Sequence, residues 1–103
     1  MTRDEALKEL AAHRGRIDAV DRELLKLMNA RARVVEEIGR VKREARMPIY
    51  EPKREDEVFR NVTENNGGPL TPDAVRRIFE RIIDEMRKVQ RDRMESQAGG
   101  ESS

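Results

Sequence analysis

Two positively charged residues on one helical face are the first candidates for chemistry in this sequence. Arg31 falls in the middle of an apolar heptad row formed by Leu10, Ile17, Leu24, Ile38 and Ala45. A guanidinium stays ionised in such a place, and burying it without a partner is costly. Either an internal Glu pairs with it, or it serves to fix helix register, or a bound anion neutralises it. Lys42 follows eleven residues later. That is about three helical turns, so the two cations point nearly the same way from backbone positions about 16 Å apart. Long side chains converging from both ends leave a gap suited to a small dianionic metabolite. The alternative for Lys42 is to snorkel along the helix edge.

Polar partners occur further along. Gln90 follows Met86 by four residues, on or beside the apolar stripe Val75, Ile78, Phe79, Ile82, Ile83, Met86 and Val89. An amide there either faces inward or is exposed at the stripe's edge. Glu55 shares helical spacing with Val58, Phe59 and Val62, which puts it on an inward face; Glu51 precedes it by one turn and Arg54 flanks it. Acids at a helix start also complement the helix dipole, the alternative for Glu51 taken by itself. Arg14 lies seventeen residues before Arg31. At about 25 Å along one helix it cannot share a pocket with its own Arg31 and Lys42. An antiparallel helix of a second protomer delivers it there; otherwise it is an ordinary surface arginine.

The elements that position these residues are three helices. The first runs from about Arg3 to Arg46 without an internal proline and stops before Met47-Pro48, because proline disfavours the α conformation at the preceding residue. Its second heptad row is His13, Val20, Leu27, Val34 and Val41, and the eleven seam positions hold nine apolar residues, a pattern that supports helix–helix packing. Such a helix is about 65 Å long, whereas a compact monomer of this size is only about 26 Å across. It must therefore lie against something beyond its own protomer. The second helix opens at Glu51-Pro52 and ends near Asn65-Asn66-Gly67-Gly68; the third opens at Thr71-Pro72-Asp73 and runs to about Glu95. Both starts carry a first-turn proline, and Thr71 is a good cap. A domain over residues 1–95 and a disordered polar tail over 96–103 (SQAGGESS) follow. The expected fold class is all-α, with no strand.

Composition narrows the classes. Of 103 residues, 36% are hydrophobic and 42% charged, a lean core under a heavily solvated surface. Small domains of this kind rely on disulfides, metals or oligomerisation. Zero cysteines remove the first, and with His13 as the single histidine a metal site is disfavoured too. Oligomerisation remains. A net charge of +1 lacks the positive excess of a nucleic-acid binder. The start, MTRDEALKEL, has no apolar run of signal-peptide type, and no stretch is apolar enough for a membrane span, so the cytosol is the expected compartment.

In order and spacing, the chain from about Leu7 to Gln90 resembles the all-helical (AroQ) class of chorismate mutase. The matching stretches begin with L-x-x-H-R-x-x-I-D-x-V-D-x-x-L-L-x-L from Leu10 to Leu27, then Asn29-Ala30-Arg31 and Glu37-Ile38-Gly39-Arg40-Val41-Lys42. Pro48 to Glu55 (PIYEPKRE), Gly68-Pro69-Leu70 and Ile78 to Ile83 leading to Gln90 complete it. The resemblance implies an intertwined homodimer whose long first helices pair across a two-fold axis. It also implies a site lined mainly by one protomer, with Arg14 supplied by the other. Arg31, Lys42, Arg54 and Gln90 match the family's remaining cationic and amide contacts, Glu51 falls where Asp is frequent, and Glu55 matches the glutamate for the substrate hydroxyl. Met86 departs from the pattern, since some members have a small residue such as Ser there.

That resemblance implies conversion of chorismate to prephenate, a pericyclic rearrangement requiring no nucleophile, metal or cofactor. Arg14 and Arg31 would clamp the carboxylates, Lys42 and Gln90 would donate to the ether oxygen, Glu55 with Glu51 would hold the ring hydroxyl, and Arg54 would orient neighbouring charge. Two rivals stand beside it: a non-catalytic helical dimerisation or regulatory module associated with another aromatic-biosynthesis enzyme, and isochorismate pyruvate lyase. PIYEPKRE favours the mutase over the lyase.

Overall fold

A computed structural model describes the backbone of residues 1–101 and the side chains of residues 1–96. The chain is all-α: α1 is Arg3–Ala45, α2 is Pro52–Glu64 and α3 is Pro72–Glu101, with no strand among the described residues. No helix is long and apolar enough to cross a membrane among those residues.

Local chemistry sets each boundary. Thr2 Oγ1 accepts from the Glu5 amide at 3.1 Å, so Thr2 and Glu5 sit in the spacing of a capping box. Asp4 and Glu5 in the first turn and Lys42 and Arg43 in the last suit the dipole of α1. At its end Arg46 adopts φ 56°. Met47 N donates to Lys42 O at 2.8 Å and Arg46 N to Arg43 O at 3.3 Å, the pair of bonds that closes a Schellman motif. An arginine therefore fills a left-handed position that glycine adopts without steric cost. Pro52 opens α2 in the first turn. The link to α3 is fastened by Asn66, whose Nδ2 donates to Leu70 O at 2.7 Å and whose Oδ1 accepts from Gly68 N at 3.3 Å. Thr71 Oγ1 accepts from Ala74 N at 3.1 Å, capping α3.

α3 continues to Glu101, past the boundary expected at Glu95 for residues 1–95 and the tail 96–103. No proline interrupts Ser96 to Glu101, and each further residue adds one backbone bond to a helix already nucleated. Residues 102 and 103, the rest of that expected tail, lie outside the described residues.

The chain divides into two compact units, residues 1–33 and residues 34–103. Within the first unit no residue is buried. Its large apolar side chains Leu7, Leu10, Ile17, Val20, Leu24, Leu25, Leu27 and Met28 are all exposed, Leu27 at 67%. The second unit holds the core, centred on Val35, Val75, Ile83 and Met86. The α1 face turned to that core is Val35, Gly39 and Lys42, one residue out of phase with the seam residues Val34, Ile38 and Val41, which stay exposed. Glu55, Val58, Phe59 and Val62 on α2 are partly buried, as expected of an inward face. On α3, Ile78 is exposed although it belongs to the expected stripe.

Candidate active site

Among the described residues two polar side chains are buried, Lys42 at 5% exposure and Gln90 at 9%. Lys42 projects from the last turn of α1. Its Nζ donates to Ile49 O at 2.8 Å and pairs with Glu51 Oε1 at 2.8 Å. It does not snorkel; its charge is met inside the unit. Glu51, at the N-cap position of α2, makes no side-chain cap, because its carboxylate serves Lys42 instead. Glu51 thus stands at the positive end of the α2 dipole and in a longer-range ion pair at once.

Gln90 reaches the same region through a close approach of helix backbones. A Cβ on residue 39 would lie 3.2 Å from Gln90 O and 3.5 Å from both Gln90 Cγ and Arg93 Cβ. Glycine at 39 therefore lets α1 meet α3 at Gln90, one turn from Lys42. Gln90 Oε1 is buried with no hydrogen-bond partner. Leaving such an atom unpaired costs about 1–3 kcal/mol, and turning the amide by half a revolution presents Nε2 to the same space. Met86, one turn before Gln90 on α3, is buried at 9% and closes this region with an apolar side chain.

Glu55 sits one turn into α2, and its partner is Arg87 of α3. Arg87 Nε donates to Glu55 Oε2 at 2.8 Å and NH2 to Oε1 at 2.6 Å, a fork-on-fork pair. The third nitrogen, NH1, donates to Asp84 Oδ1 at 2.8 Å, and the guanidinium lies over the Tyr50 ring at 5.5 Å. The hydrogen bonds to Glu55 raise the Arg87 pKa above its ordinary value against the opposing effect of burial. A folded pKa above the unfolded one gives stability that is complete below the unfolded value and lost only as pH rises through the folded one. For an arginine that window lies in strong alkali. Beside this pair opens a depression of about 280 Å³ lined by Glu55, Phe59, Glu80, Ile83, Asp84 and Arg87. Three carboxylates against one guanidinium make it a poor seat for an anion.

The second unit thus holds Lys42, Glu51, Glu55, Met86 and Gln90 of the expected set. Arg54 is exposed and pairs with Glu57 at 3.1 Å, away from the interior. Arg14 and Arg31 belong to the first unit, Arg14 exposed and Arg31 half-buried. Sequence reading missed Arg87 and the role of Gly39. Arg87 stands 32 residues from Glu55, beyond any local spacing rule. Gly39, a helix-interior glycine with no turn to make, did carry a signal of close backbone approach. No group of three or more His, Cys, Asp or Glu able to hold a metal ion occurs among the described residues.

Comparison with known proteins bears on this arrangement. The family model described as chorismate mutase type II matches residues 13–91. The bifunctional chorismate mutase/prephenate dehydratase of Aquifex aeolicus is 40% identical over 83 residues, covering 77% of this chain and 22% of that protein. The T-protein of Enterobacter agglomerans is 39% identical over 80 residues, covering 75% of this chain and 21% of that protein. The chain therefore spans about a fifth of the length of these relatives. Among solved structures, chorismate mutase (form II) from Thermus thermophilus superposes with a TM-score of 0.79 at 36% identity, over 81% of this chain and 94% of that one. With a family match over most of its length and a near full-length structural counterpart, the chain belongs to the chorismate mutase type II family.

Proposed function

We propose that this chain rearranges chorismate to prephenate, without a cofactor, as a cytoplasmic homodimer with two shared sites. The observation that carries the reading is the pair of buried polar side chains, Lys42 and Gln90, the latter with an unsatisfied oxygen. The reaction is intramolecular, so a protein accelerates it by holding the compact conformer and by stabilising charge that develops as the C–O bond breaks. Arg31, with Arg14 of the second protomer, grips the two carboxylates, for which planar guanidiniums are suited. Lys42 and Gln90 donate to the ether oxygen. Glu55, with Glu51, holds the ring hydroxyl, and Glu51 also pairs with Lys42. Arg54, on the outer face, orients neighbouring charge. Met86 tightens the pocket where some members have a small polar residue.

The exposed apolar row on residues 1–33 supports the dimer, since large unpartnered apolar patches mark association surfaces. The bifunctional relatives support a second element of the reading, that the chain works beside another enzyme of aromatic biosynthesis.

The test is direct. Purified protein should consume chorismate, followed by its loss of absorbance, with prephenate identified as product. A donor aimed at a developing oxyanion is worth about 3 kcal/mol, so Lys42→Ala should lower turnover by roughly a hundredfold or more at unchanged helix content. Unchanged chorismate, or pyruvate released from isochorismate in its place, overturns the reading. So does a Lys42→Ala variant with ordinary rates.

A further inference from the structure

We propose that Arg87 is a positioning residue that fixes the Glu55 carboxylate for the substrate's ring hydroxyl and so makes the site selective for a hydroxyl-bearing ring. The inference rests on the chorismate reading above and adds a residue to it. A carboxylate offers about four lone-pair sites. Arg87 occupies one on each oxygen, through Nε at 2.8 Å and NH2 at 2.6 Å. The sites left over point in directions set by the guanidinium plane, and a hydroxyl donor has to meet them there.

The guanidinium is itself held at all three nitrogens. Asp84 takes NH1 at 2.8 Å and Tyr50 lies beneath the plane at 5.5 Å. Side-chain exposures of 32% for Arg87 and 19% for Glu55 leave the pair mostly out of water, where directional hydrogen bonds count for more. Tyr50 and Glu55 lie close in sequence, at the entrance to α2 and within its first turn, so Arg87 braces both from α3. Without it Glu55 keeps its charge but loses its aim. Lysine, a point charge with no planar fork, restores charge without restoring direction.

The experiment compares chorismate with its analogue lacking the ring hydroxyl, using the intact wild-type protein, Arg87→Met and Arg87→Lys. In the wild type, kcat/KM should favour chorismate. Arg87→Met should lose on the order of tenfold on chorismate, and clearly less on the analogue, so that the preference collapses. Arg87→Lys should recover part of the rate and little of the preference. Equal losses on both substrates make Arg87 merely structural and overturn the proposal, as does an undiminished preference. If Arg87→Met does not fold, the preference of Arg87→Lys decides alone. A wild type inactive on both substrates is a different failure, that of the mutase reading. A wild type active on chorismate without preference removes Glu55 from the hydroxyl, and Arg87 with it.

Discussion

Residues 1–33 bury no side chain, whereas from Val34 onward the same helix contributes Val35, Gly39 and Lys42 to a packed interior. Both stretches are amphipathic and both are well formed as helix. They differ in what covers them. In the second unit the face of Val35, Gly39 and Lys42 is buried, with Gly39 against Gln90 of α3. In the first, Leu10, Ile17, Val20, Leu24 and Leu27 stand in solvent, each forgoing about 1 kcal/mol or more of burial. One region has a core of its own; the other has none, and the bare row it carries runs on through Val34, Ile38 and Val41.

The harshest way to break this contrast is a charge in the uncovered row. If this row is the seam of the proposed dimer, Leu24→Glu should give a monomer by sedimentation and remove nearly all turnover, because an unpaired carboxylate in an apolar interface costs several kcal/mol. A fully active monomeric Leu24→Glu protein would erase the distinction between the two regions. Mixing Arg14→Ala with Arg31→Ala protein sharpens it next. If each site joins Arg31 of one protomer to Arg14 of the other, a mixed dimer has one intact site. Statistical exchange then restores about a quarter of all sites, read as activity returning from two nearly dead preparations.

Effects within the covered region are smaller. Gly39→Ala sets a Cβ 3.2 Å from Gln90 O, so α3 must give way by a few tenths of an ångström. Turnover should fall several-fold, since small misplacements are expensive in catalysis. The gain of about 1 kcal/mol in helix propensity offsets the crowding, so thermal stability should barely move. The least effect is expected at Arg46, where φ is 56°. Arg46→Gly should stabilise the protein by at most about 1 kcal/mol, measured by denaturant unfolding, with activity unchanged.

The helices were legible because their ends are punctuated: Pro48, Pro52, the Asn65 to Gly68 run and Thr71-Pro72 are local signals that packing does not override. Gln90 was legible as an amide on or beside an apolar stripe, and Lys42 as a cation eleven residues after Arg31. The phase of α1 was harder. Its strongest heptad, through Val34, Ile38 and Val41, is the stripe the folded chain leaves bare, while Val35, Gly39 and Lys42 make the internal contact. A helix with two apolar stripes does not announce which belongs to which partner. Glu55 was readable as inward, but its partner was not, for an ion pair between α2 and α3 depends on how two helices lie together. The ion pair of Glu51 with Lys42 was not readable either, for it depends on the bend at Ile49-Tyr50.

The Lys42 ammonium has a limited valence. It carries three N–H groups, of which one goes to the Ile49 carbonyl and one to Glu51. A single vector is left over. On the proposed reading a guest receives one directed bond from this nitrogen, while its contacts to Ile49 and Glu51 stitch the bend after α1 in place.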